Sequence, residues 1–83
     1  MISPFAADII GIFGSILFIG GFTYANMAKS MDKVLFNALN LVGAILLLIS
    51  LSVHFNLAAV ILEIAWGIIA GIGLIGALRA RSS

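Results

Sequence analysis

The sequence has no cysteine, one proline, one histidine and very little charge: four basic and three acidic residues in 83, a net charge of +1. Without cysteine there is no disulfide, no thiolate metal ligand, no haem joined through sulfur and no lipid carried on sulfur. The single histidine, His54, rules out a two-histidine metal or haem site within one chain. No metal and no cofactor is therefore expected. A net charge of +1 is no footprint for nucleic acid, which is set aside as a partner, and is too thin for a polybasic lipid-binding tail. Nor is there a nucleophile with its base, a metal-ligand cluster or a phosphate-binding loop after a strand, so the chain is not expected to be an enzyme. The first residues, MISPFAAD, hold no lysine or arginine. They do not read as a removable signal, and the segment is expected to stay in the mature protein.

Polar surface is the largest deficit. Charged residues make up 8% of the chain and hydrophobic ones 64%, with a mean hydropathy of +1.34. An ordinary soluble domain is about 25% charged and about 45–50% apolar. A small globule exposes much of its surface and needs polar residues to cover it; here there are too few, and a soluble fold is excluded. What is present is three long apolar runs, 5–27, 34–54 and 57–78. Each exceeds the roughly 18 to 20 residues that cross a bilayer core as a helix, the geometry that satisfies every backbone group within one segment. The expectation is a single all-α membrane domain over 1–83, a three-transmembrane-helix bundle with a connector at 28–33 and a tail at 79–83. Only Phe55 and Asn56 separate the second and third runs, which predicts a tight antiparallel hairpin with Asn56 capping the third helix. Pro4 precedes the first run, where its missing N–H costs little.

The four basic residues, Lys29, Lys33, Arg79 and Arg81, fall in the connector and the tail. In a three-helix chain these regions share one side. The positive-inside bias then places both in the cytoplasm and the N-terminus outside, in a multi-pass protein of the cell (inner) membrane.

The stretch AAVILEIAWG, residues 58–67, puts an acid, Glu63, inside the third run. At 100° per residue Glu63 shares a stripe with Ala59, Gly67, Ala70, Gly71 and Leu74, while Ile61, Ile64, Ile68, Ile72 and Ile75 lie opposite. Small residues let another backbone approach, and Gly67 to Gly71 is a G-x-x-x-G, so the acid is expected to face protein. In the first run Ala7, Gly11, Gly14, Ser15, Phe18, Phe22 and Ala25 share one side. In the second, the best stripe is Asn40, Gly43, Leu47, Ser50 and His54, flanked by Asn37 and Ala44. Gly11, Gly14, Gly67 and Gly71 are the expected helix-packing positions.

By helical rise Glu63 lies about 9 Å below the outer end, near the level of Ser15 and Ser50. Asn26, Asn37 and Asn40 form a second polar layer towards the basic end, separated from the first by about 10 Å of mostly apolar helix. A charged acid at a helix centre costs about 2.5–3.5 kcal/mol, and such residues usually pair or function. With no base deep enough to pair, Glu63 is expected to be often protonated and to donate to Ser15 or Ser50. Two roles stand side by side, a proton-carrying group or a neutral interhelical bridge. Trp66 lies deeper than the aromatic belt and its N–H needs an acceptor, for which Glu63 is the candidate. Asp8 and His54 read as surface groups near the outer interface, and Tyr24 as an anchor at the inner one. Glu63, Asn37, Asn40, Trp66, Ser15 and Ser50 are the candidates for a substrate or proton pathway.

The order of features, Gly11 and Gly14 in the first helix, a short basic connector, a second helix and a tight turn into NLAAVILEIAW, resembles the three-helix half-transporters called SemiSWEETs and the wider PQ-loop superfamily. LNLVGAILLLISL, FNLAA and EIAW also resemble a family of small uncharacterised bacterial membrane proteins. The SemiSWEET resemblance implies that the third helix packs between the first two. It also implies a parallel homodimer around a central cavity, with Glu63 at a substrate-binding position. The chain departs from it at Tyr24 and Ala25, where a Pro-Gln hinge would stand, and at Leu47, where a tryptophan would. The resulting expectation is a permease-like homodimer moving a small polar solute or protons. The alternative is a structural or accessory subunit packed against a larger membrane complex.

Overall fold

The structure is a computed structural model describing residues 2–82. Met1 and Ser83, the two ends of the expected domain and tail, lie outside the described residues. It is all-α: α1 spans Pro4–Met27, α2 Lys33–Leu51 and α3 Leu57–Ser82. All three are long and apolar enough to cross a membrane.

Local chemistry sets the helix starts. Pro4 opens α1 after Ser3, whose hydroxyl accepts from the Ala6 N–H at 3.1 Å, so the ring sits where no donor is missed. Asp32 caps α2, its Oδ1 accepting from the N–H groups of Val34 (2.9 Å) and Leu35 (3.3 Å). Asn56 caps α3 by accepting from Ala59 N–H at 3.1 Å, as its residue type and position predict.

The ends differ from the periodicity. The run 34–54 predicts a longer second helix, but α2 stops at Leu51. There the Ser52 hydroxyl donates to the Ile49 carbonyl at 2.6 Å, and the backbone N–H groups of Ser52 and Val53 take tightened bonds, three residues back, to Ile49 and Ser50. A serine that competes for the last-turn carbonyls ends the helix. His54 therefore leaves the expected stripe, and its Nε2 stands 2.9 Å from Asp8 Oδ1 and 3.4 Å from the Pro4 carbonyl. Both neighbours are acceptors, which puts the ring hydrogen on that nitrogen. At the other end α3 runs on through Arg79 and Arg81 to Ser82, because cations in the last turn complement the helix dipole; the described part of the expected tail, 79–82, is helical.

Packing places α2 in the middle. It lies against both α1 and α3, whereas α1 and α3 nowhere approach within 8 Å at Cα among the described residues. The resemblance implied α3 in the central position, and the structure corrects this. The reason lies in the distribution of small residues. A Cβ placed on Gly14 would stand 3.0 Å from the Gly43 carbonyl oxygen, one on Gly11 would stand 2.7 Å from Ser50 Oγ, and Phe18 covers Gly43. On its other flank α2 sets Ala44 against Gly67, and Asn37 against Gly73, where a Cβ would meet Asn37 Oδ1 at 2.5 Å. α2 therefore carries small contacts on both sides. Gly71, expected as a packing position, has nothing within 4 Å of its Cβ direction; the close approach comes at Gly73 instead.

Gly14→Ala is expected to cost about 1–3 kcal/mol, since its new methyl meets the Gly43 carbonyl oxygen and Leu47 Cγ, both at 3.0 Å, and the backbone oxygen cannot move aside as a side chain can. Gly20→Ala, which lies inside α1 and meets nothing within 4 Å, should be neutral or stabilising by up to about 1 kcal/mol, the helix preference of alanine over glycine. Unfolding of both variants in mixed micelles checks the pair.

The isoleucine flank of α3 is open, with Ile61, Ile68, Ile72 and Ile75 all exposed, while Ala70 and Glu63 on the small flank are buried. Exposed isoleucine along a whole helix face is unfavourable in water and ordinary against acyl chains.

Candidate functional site: a buried acid beside an aromatic cleft

Glu63 is 7% exposed, and its Oε2 is buried with no hydrogen-bond partner. The expected acceptors lie elsewhere. Ser15 is exposed and its hydroxyl donates at 2.9 Å to Gly11 O, one turn earlier in its own helix. A serine in a helix has that carbonyl always within reach. Ser50 is half-buried with its hydroxyl facing Gly11. Neither meets the acid: Ser15 is on α1, with α2 between it and α3, and Ser50 is on the side of α2 that faces α1.

Trp66 is also corrected. Its Nε1–H donates to Asn40 Oδ1 at 3.0 Å, across from α3 to α2, and Glu63 takes no part. Because an indole nitrogen only donates, the oxygen of the Asn40 amide must face it. The amide nitrogen then turns to its own helix and donates to Phe36 O at 2.8 Å. Asn40 is 6% exposed and so is a satisfied buried amide joining two helices. Asn37 donates to Lys33 O at 2.8 Å and presses its Oδ1 on Gly73. Asn26 is exposed and bonded to Phe22 O at 2.9 Å. Trp66, three residues or about 4.5 Å of rise beyond Glu63, reaches Asn40 of the second polar layer directly.

Beside this amide an open cleft of about 340 Å³ separates α1 from α3. Phe18, Phe22, Phe36 and Trp66 form its walls, and Asn40 contributes the polar floor. The Phe18 and Trp66 rings lie 6.1 Å apart at their centroids, inclined at 50°. Glu63 does not line it. The aromatic set escaped the sequence reading, although Phe18 and Phe22, four apart on one side of α1, were a signal for it. Phe22 belongs to the cleft rather than the packed stripe, and Gly21 takes the place against Leu39 and Asn40.

At the basic end, Asp32 joins all three helices. It caps α2, its N–H donates to the Tyr24 hydroxyl of α1 at 2.7 Å, and its Oδ1 accepts from Arg81 of α3 at 2.8 Å. Tyr24 anchors the connector by that bond. The Arg81 hydrogen bond, helped by the backbone N–H of Leu35 and of Val34, holds the Asp32 carboxyl below the usual carboxylate range. A depressed carboxylate contributes stability above its unfolded value, about pH 3.9, and that contribution fades as pH falls through the folded value. Thermal unfolding in detergent should therefore show wild type above Asp32→Asn at neutral pH, with the two curves converging below about pH 4.

Among the described residues no group of three or more His, Asp or Glu side chains is placed to hold a metal ion. No curated protein and no solved structure matches the chain. The model of one uncharacterised protein family matches residues 7–81, taking in nearly all of the three helices, and the chain belongs to that family.

Proposed function

We propose that this protein is a half-transporter of the cell (inner) membrane that pairs with a second copy and moves protons, alone or with a small polar solute. The observation that supports it is Glu63: an acid held in the helix interface with no hydrogen-bond partner on Oε2. An acid serving as an interhelical bridge needs a partner across the interface, whereas an acid that takes up and releases a proton needs to be free to do so. Three helices with α2 between the others enclose no passage of their own, so carriage requires at least two copies. The reading does not need the SemiSWEET helix order, only the pairing. Basic residues gathered at one end favour that end in the cytoplasm and the N-terminus outside.

The accessory-subunit reading has its own support. The Asp32 junction ties one end of the molecule and the Asp8–His54 contact ties the other, which suits a packing unit better than a carrier that must open. Mass determination in mild detergent, followed by proton flux into liposomes under an imposed gradient, separates the two. A dimer with flux above protein-free liposomes is the expected result. A stable monomer without flux, or purification in fixed ratio with one larger complex, would favour the accessory role.

A further inference from the structure

Glu63 lies in the seam between α2 and α3, and its surroundings show how that seam is held shut. The acid is 7% exposed and its Oε2 has no partner, so water reaches it only when α3 parts from α2. Four residues on, a Cβ placed on Gly67 would stand 3.5 Å from the Cβ of Ala44, which is wholly buried. At the same level Trp66 fastens α3 twice. Its indole N–H donates to Asn40 Oδ1 of α2 at 3.0 Å, and its ring lies 6.1 Å from that of Phe18 on α1. Further along, Asn37 presses on Gly73, and Arg81 meets Asp32 at 2.8 Å near the far end of α3. That last pair is exposed, and exposed pairs hold weakly.

Of the three helices, α3 is the one placed to move. The Cβ directions of Gly14 and Gly43 each meet the other's carbonyl oxygen, at 3.0 and 3.1 Å, which sets α1 and α2 backbone to backbone. The turn after α2 is tied to α1 through His54 and Asp8. By contrast α3 is one unbroken helix from Leu57 to Ser82 without proline, and its Cα atoms approach α2 alone. It therefore turns as a rigid body on residues 52–56. From Asn56, Glu63 lies about 10 Å along the helix and Trp66 about 15 Å. A gap of about 2.8 Å at Glu63, the width of one water, then carries Trp66 about 4 Å further from Asn40, past any hydrogen-bond length. We infer that α3 swings on the 52–56 turn, that the Trp66–Asn40 hydrogen bond is the clasp of this movement, and that its release uncovers Glu63. The inference deepens the transport reading and rests on it for the purpose of the movement.

The chain has no cysteine, so a reversible lock can be built across the seam. Ala44→Cys with Gly67→Cys sets two Cβ atoms 3.5 Å apart, within the disulfide range of about 3.5–4.5 Å. The full chain in phospholipid nanodiscs is treated with dicyclohexylcarbodiimide. A protonated carboxyl gives its proton to a carbodiimide nitrogen while its oxygen bonds the central carbon, and the resulting O-acylisourea rearranges to a stable N-acylurea. Peptide masses separate label on Glu63 from label on Asp8 or Asp32. Labelling of Glu63 in the double variant is expected to fall about tenfold on oxidation and to return on reduction, and to rise about threefold or more in Trp66→Phe, whose seam opens more often. Gly14→Ala, which strains the α1–α2 seam instead, should label like wild type. Equal labelling of the oxidised and reduced forms, or no label on Glu63 in any form, would overturn the swing. Equal acceleration in Gly14→Ala and Trp66→Phe would mean general loosening and would overturn the clasp. Should the double variant not fold, these two single variants carry the test. The expected labelling in a protein without proton flux would end the transport reading and leave the clasp, whereas undiminished flux in the locked form would do the reverse.

Discussion

Glu63→Gln is expected to lower proton flux into liposomes by at least tenfold while leaving helix content and the mass in detergent unchanged. Glutamine keeps the volume and the hydrogen-bonding atoms of the protonated acid but has no proton to exchange. A neutral bridge would survive the change; a proton-carrying group would not. The companion variant Glu63→Leu addresses stability. Because Oε2 is buried with no partner, its removal relieves a desolvation penalty of about 1–3 kcal/mol, and leucine is close in size to the group it replaces. We therefore expect Glu63→Leu to unfold later than wild type in mixed micelles while showing no flux. A stabilised, inactive variant is the signature of a residue kept for a task other than folding. Retained flux in Glu63→Gln would remove the basis for the transport reading.

The second large effect is expected at Asn40. Asn40→Leu leaves the Trp66 N–H without its acceptor and cuts a side-chain hydrogen bond between α2 and α3. Hydrogen bonds between membrane helices average about 0.6 kcal/mol and reach about 1.7. A buried amide bonded to an indole N–H at 3.0 Å belongs at the upper end, so a loss of about 1–2 kcal/mol is expected. Trp66→Phe alone removes the donor and leaves Asn40 its bond to Phe36, a smaller loss. The double variant should then be less destabilised than the sum of the two, by the energy of the pair. Additive losses would show that the indole and the amide are neighbours without coupling.

The helices were legible from composition and run length, since a backbone in hydrocarbon has few ways to satisfy itself. The small and isoleucine flanks of α3 were legible too, because a period near 3.6 sorts Glu63 and Ala70 from Ile61 and Ile68 whatever surrounds them. The end of α2 was not. His54 continues the polar and small stripe of α2, but Ser52 takes a last-turn carbonyl, a choice that hydropathy does not register. Ser15 was misplaced for a similar reason: a hydroxyl with its own helix in reach has no need of a partner on another. The acceptor for Trp66 was misread because neighbours in sequence, such as Glu63, were weighed without knowing which helix lies alongside.

The sequence alone determined that this chain is three membrane-length helices, where its basic residues gather, and which flank of α3 can lie against protein. These follow from local periodicity and from solvent preference, which are properties of each segment. Only the tertiary structure decided that α2 occupies the centre, that α1 and α3 leave an aromatic cleft between them, and that Asp32 joins all three helices at one end. Helices of similar apolarity have many pairings open to them, and close approach of particular small residues selects one. Gly14 against Gly43 and Gly73 against Asn37 make that selection here, and no period in the sequence names a partner.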